Sequence, residues 1–164
     1  MKPARYHFLP MARALVVLFA LALAACATGP VLSQPTATIP DLRGTWRGTW
    51  GGTPATLLVL EQGGTARQGG ISIGPWPLTG AGLPSLAGVL TFVSNGAPVS
   101  VNVQGRFGDW NGGLTVVVDA LTRDGQQLVI TRIAADRLAG TGTSRLDWDP
   151  RGPVNLERAR LSPN

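Results

Sequence analysis

From residue 42 onward the chain switches face every second residue, and no stretch of it repeats at helical spacing. Leu42, Trp46 and Trp50, with Gly44 and Gly48 between them, fall on one side of the first such run. Arg43, Thr45, Arg47 and Thr49 fall on the other. A period of two with one wet face describes a half-buried antiparallel strand. The pattern predicts further strands over 55–61, near Ile71 and Ile73, and over 86–94, 98–105, 114–121, 127–134, 137–146 and 154–161. Asn95-Gly96, Asn111-Gly112-Gly113 and Asp124-Gly125 are hairpin signals, and Gln62-Gly63-Gly64 reads as another turn. A proline-rich connection runs through Trp76 to Pro84. Short strands at regular spacing predict an all-β domain, a small antiparallel up-and-down barrel of about eight strands, with a β-sandwich as the alternative. Closure favours the barrel because it leaves no unpaired edge. The 22 glycines supply turns and let strands coil sharply.

The first 25 residues have a different character. Lys2, Arg5 and Arg13 precede an apolar run, Ala14 to Ala25, with no acid before it. A basic segment, a short apolar segment and small residues describe an export signal. The run is too short for a spanning helix, which needs about 20 residues. Met11 is a second plausible start. Leu23-Ala24-Ala25-Cys26 resembles the lipobox of bacterial lipoproteins. The resemblance implies a diacylglycerol thioether on Cys26, cleavage before it, and acylation of the new amino terminus. By the same resemblance, Ala27 rather than Asp after the cysteine implies the outer membrane over the inner. The expected facing is periplasmic, with surface exposure as the alternative. Ordinary secretion with cleavage after Ala24 is the alternative. Three acyl chains hold far more firmly than the marginal grip of one.

Removing that segment changes the composition. The remaining 139 residues carry eleven arginines against nine acids, a net charge of +2 rather than +5. The case for a nucleic-acid partner fades with it. The single His (His7), Tyr (Tyr6) and Lys (Lys2) also belong to the removed segment, and the single cysteine is the lipidation site. The mature chain therefore lacks imidazole, phenol, ammonium side chain and free thiol. That excludes a Ser-His-Asp triad, a Cys-His pair, a histidine metal site and a catalytic lysine. A carboxylate-only enzyme, such as a glycosidase using two acids, is still open. The expectation is no enzyme, no cofactor and no metal.

The chain then divides into 1–25 as signal peptide, 26–40 as lipidated N-terminus and flexible tether, and 41–164 as the barrel domain. Residues 27–40, with three prolines and no charge, give the tether a reach of roughly 20 Å.

Gly44-Thr45-Trp46 at the start of the first strand is similar to the Gly-x-Trp of lipocalins and the wider calycin group. The resemblance implies that an arginine near the last strand packs over Trp46 and closes the barrel bottom. Arg158 fits by its parity with Val154 and Leu156, and Arg160 is second choice. The Thr-Asp-Tyr motif of lipocalins has no counterpart. Bacterial metalloprotease inhibitors use a similar small barrel, so the fold alone selects no ligand.

Three tryptophans, Trp76, Trp110 and Trp148, fall in predicted loops, where they could cap a small barrel or, if clustered at one mouth, stack an apolar or sugar ligand. Asp147-Trp148-Asp149-Pro150 sets two carboxylates two residues apart, which could hold Ca²⁺ or flank a substrate; Asp109-Trp110-Asn111-Gly112 contains a fragment of a calcium loop without the remaining ligands; turn chemistry accounts for both. Two functions follow as expectations. The barrel binds a small apolar or lipid-like ligand inside, which needs a cavity of about 300 Å³ or more. Alternatively, its loops or an edge contact a protein in envelope assembly or protease inhibition.

Globomycin treatment should accumulate the uncleaved precursor. A Cys26→Ala protein that stays in the membrane fraction would exclude lipidation.

Overall fold

The computed structural model describes residues 30–67, 72–73, 76–77 and 82–159. The lipobox and Arg160 lie outside them. The described strands are β1 (Gly44–Trp50), β2 (Thr53–Arg67), β3 (Ser72–Ile73), β4 (Trp76–Pro77), β5 (Gly82–Ser94), β6 (Ala97–Trp110), β7 (Gly113–Ala120), β8 (Gln127–Ile133), β9 (Arg137–Thr143) and β10 (Gly152–Arg158). Eight of them form one closed antiparallel barrel in the order β1-β10-β9-β8-β7-β6-β5-β2, and β3 pairs only with β4. Consecutive strands are neighbours throughout, apart from the β3–β4 excursion, and the pairing of β1 with β10 closes the ring. The up-and-down barrel read from the alternation is the observed fold, and the sandwich is set aside.

Turn chemistry accounts for the sharp corners. Asn95 and Gly96 both have positive φ, as do Asn111 and Gly112. Two successive left-handed residues define the type I′ turn, whose twist matches that of the flanking strands. Gln62-Gly63-Gly64 behaves differently from its sequence reading. The strand runs on to Arg67, and the glycines absorb a register shift between Gln62 and Thr65 in the ladder with β5. Asn-Gly sites tighten into a hairpin, whereas here the partner strand continues alongside, so the extra residues become a bulge.

The inward faces fill the barrel. Trp46 and Trp50 from β1 are completely buried, and Trp50 meets Phe92 edge-on with ring centroids 5.1 Å apart. Phe107, Ile130, Leu138 and Leu156 close in from other strands in the same cluster. Two indoles fit one small lumen because glycines face them. A Cβ on Gly142 of β9 would overlap the Trp50 indole, and one on Gly48, between the two tryptophans, would overlap the backbone of Asn155. Burial of this side-chain set is the main favourable contribution to stability.

Polar groups face out. Arg106 of β6 bridges to Asp119 of β7 at 2.6 Å, and Gln127 of β8 donates to the other Asp119 oxygen at 2.6 Å. Arg137 and Glu157 pair across β9 and β10. The outer wall also carries apolar residues, among them Leu60 at 59% exposure.

The segment before β1 differs from a free tether. Leu32 is 6% exposed and packs with Leu83 and Val117 on the outer wall. The backbones of Ser33 and Asp109 exchange two hydrogen bonds of 3.1 Å. Gly108 allows this approach, since a Cβ there would strike Leu32 and Ser33. Ile39 packs against the core, and Leu42 is buried at 1% exposure. Residues 31–42 thus form a strap that climbs the outer wall and crosses the rim into β1. The proline and small-residue composition that suggested flexibility also suits an extended strap, because proline fixes its own φ and disfavours helix.

Candidate functional site

The barrel has two ends with different chemistry. The strap end holds the start of β1, the end of β10, and the β6–β7 and β8–β9 turns. The far end holds the β1–β2, β5–β6 and β7–β8 connections and the β9–β10 loop.

Arg158 organises the strap end. Its guanidinium carbon lies 4.3 Å from the centroid of the Trp46 indole. Its Nε donates to the Ala135 carbonyl at 2.9 Å, Nη1 to Arg43 at 2.8 Å and Nη2 to Asp41 at 2.6 Å. One planar cation thus ties the last strand, the β8–β9 turn and the strap together. The Trp46 indole N–H donates to the Leu42 carbonyl at 2.7 Å, fixing the ring under the arginine. The Gln62 side chain completes the seal: its oxygen accepts from the Leu42 N–H at 2.7 Å, and its amide donates to Pro40 at 2.8 Å. The Arg43 side chain and backbone both donate to Asp41, holding its carboxyl down at about 2, with the Arg158 charge adding to the effect.

A buried carboxylate organises the far end. Asp149 is 6% exposed. Ser94 donates to one of its oxygens at 2.5 Å, while Gln126 and Ser144 donate to the other at 2.7 Å each. Thr122 in turn donates to the Gln126 side chain. Burial pushes the Asp149 carboxyl up, but the donors Ser144, Ser94 and Gln126, with the Arg151 charge, together hold it below the usual range. This arrangement pins the β9–β10 loop to β5 and to the β7–β8 loop. The sequence marked Asp149 as a turn residue; its three side-chain donors are scattered along the chain and carry no motif.

The loop so pinned presents Trp148 at 61% exposure, its carbonyl facing the Asn95 N–H of the β5–β6 turn. Trp110, 36% exposed, ends β6 at the opposite end of the barrel. The two tryptophans therefore do not share a mouth. The hairpin logic explains it: successive turns of an up-and-down barrel alternate between ends. Trp76 enters the small β3–β4 hairpin, and its side chain lies outside the described residues.

The aspartates considered for calcium have other occupations. Asp109 accepts from the Thr36 hydroxyl at 2.6 Å and its N–H at 2.9 Å, which hold its carboxyl below the usual range. Asp147 pairs with Arg151 at 2.9 Å. Open hollows lie on the outer surface among the described residues. One of about 490 Å³ is lined by Asp136, Arg137, Glu157 and Arg158. Another of about 290 Å³ lies over Arg132, Thr141 and Asn155. Both are formed by β8 to β10 and the adjoining turn.

Lysine cannot reproduce the three-pronged contact of Arg158. Arg158→Lys should lower the unfolding free energy by about 1–3 kcal/mol, read from the urea midpoint, and an unchanged midpoint would remove the clamp from the account. Asp149 has a lowered folded pKa, so its contribution is complete above the unfolded value of about 3.9 and is lost as pH falls through the folded one. Asp149→Asn should destabilise the protein at pH 7 and weaken the loss of stability between about pH 5 and pH 2, measured by thermal unfolding across that range.

No family model, curated protein or solved structure matches this chain. The residues themselves carry the functional reading.

Proposed function

We propose that the chain is exported, lipidated on Cys26 and held at the outer membrane facing the periplasm, where its barrel acts as a non-catalytic interaction module. The observation that carries this reading is the occupied lumen. Trp46, Trp50, Phe92 and Phe107 are each at most 1% exposed and belong to one continuous cluster. A small apolar or lipid-like ligand would have to displace these buried side chains, at a cost on the order of several kcal/mol. A filled barrel is instead a rigid platform, and its surface is what remains for recognition.

Trp148 is the best placed contact on that surface. Tryptophan is enriched among residues that dominate binding energy, and a loop already ordered loses little entropy on binding. The Asp149 network supplies that order. The partner on this reading is an envelope protein, as in assembly or protease inhibition. The chemistry of the mature chain supports a non-catalytic role: its only remaining acid–base groups are carboxylates and arginines.

Trp148→Ala should change stability by no more than about 0.5 kcal/mol, as expected of an exposed side chain. It should weaken partner capture by about 2 kcal/mol or more, scored as loss of a photo-crosslink from an adjacent loop position in living cells. Saturable binding of N-phenylnaphthylamine, abolished by a bulkier residue at Val103 in the barrel wall, would favour the ligand reading over this one.

A further inference from the structure

We propose that the strap orients the barrel on a lipid surface, holding the strap end against the membrane and directing the far end, with Trp148, away from it. This inference rests on lipidation of Cys26.

The strap converts a long tether into a short one. Residues 27–40 would allow the domain to tumble freely if none of them were bound. Docking begins, however, at Leu32, which is buried against Leu83 and Val117. The Ser33–Asp109 backbone pair, the Thr36 contacts to the Asp109 carboxylate and a 3.0 Å bond from Gln34 to the Gly82 carbonyl continue it. Only Ala27, Thr28, Gly29 and Pro30 then separate Cys26 from Val31. At about 3.3–3.6 Å per residue, the covalent span cannot exceed roughly 20 Å.

The point at which the strap begins lies at one end of the barrel. Ser33 bridges to Asp109, one residue before Trp110 and the β6–β7 turn. Val31 is 77% exposed and Trp110 is 36% exposed, so apolar surface is presented where the anchored chain reaches the domain. Tryptophan at such a place is suited to the headgroup layer, with its ring in the apolar region and its N–H in the wet one. The β5–β6 turn, which contacts Trp148, lies at the other end of β6. Fourteen residues separate the two turns, about 35 Å along the axis for a strand tilted by about 40°. A surface within reach of the short link therefore meets the strap end first.

Alkylation of Cys26 leaves the mature protein without a free thiol, so one introduced cysteine can be labelled selectively. Ala135→Cys reports the β8–β9 turn at the strap end, and Arg123→Cys reports the β7–β8 loop at the far end. Both positions are exposed. Each full-length mature lipoprotein carries a fluorophore in vesicles of phosphatidylethanolamine and phosphatidylglycerol containing headgroup nitroxides. Quenching should be several-fold stronger at 135 than at 123. A flexible ten-residue Gly/Ser spacer inserted after Pro30, which leaves the barrel and strap unaltered, should abolish the difference. Equal quenching at both positions in protein that floats with the vesicles would overturn the orientation while leaving lipidation intact. Protein that fails to float would overturn lipidation and the orientation together. A difference that survives the spacer would also overturn the proposal, because the short link would then not be its cause.

Discussion

The contact on which the rest of the structure leans is the Arg158 guanidinium over the Trp46 indole. An arginine on an aromatic face contributes roughly 0.5–2 kcal/mol by itself. Its larger effect comes from the three carbonyls it gathers in the same plane. At that rim the backbone already joins the first strand to the last, and the last strand to the β8–β9 turn, but the strap lies outside this ladder. One side chain gives them a shared partner, and it does so without a counter-charge that would need burying. Trp46 can then be completely enclosed at the floor of the lumen, because a cation lies above the ring and a carbonyl accepts its N–H.

The far end solves the same problem with the opposite charge. The Asp149 carboxylate accepts from two hydroxyls and an amide, and so draws three connections to one point. A buried anion is tolerable only when its lone pairs are filled, and here both oxygens have short contacts. A cation gathers acceptors at one rim and an anion gathers donors at the other. Between them the lumen is lined by buried apolar side chains, with the Trp50 indole N–H left without a partner among them.

Much of the barrel was legible because its signals are local. The Leu42–Trp50 alternation, the two Asn-Gly turns and the parity of Arg158 each depend on neighbours within a few positions. The strap was not legible. Its docking depends on Gly108, Leu83 and Val117, which lie roughly 50 to 85 residues along the chain, and a Pro-rich, uncharged segment reads the same whether bound or free. The bulge at Gly63-Gly64 was hidden for a related reason: a glycine pair permits a turn and a bulge alike, and the partner strand decides. The Asp149 network has no spacing rule, because Ser94, Gln126 and Ser144 come from three separate connections or strand ends. The separation of Trp110 from Trp148 was deducible in principle from turn parity, once the strand count between them was known.

The closure of β1 on β10 also bears on when the fold can form. Arg158 joins a carbonyl 115 residues earlier in the chain, so the first strand lacks one of its two neighbours until the last has been made. Long-range pairing of this kind is slow to form, because chain entropy is spent before any contact rewards it. A polypeptide emerging N-terminus first presents β1 well before β10 is available. The ring can shut only after all eight barrel strands have appeared. Placing the closing residue on the last barrel strand thus makes the sealing of the ring the final pairing event.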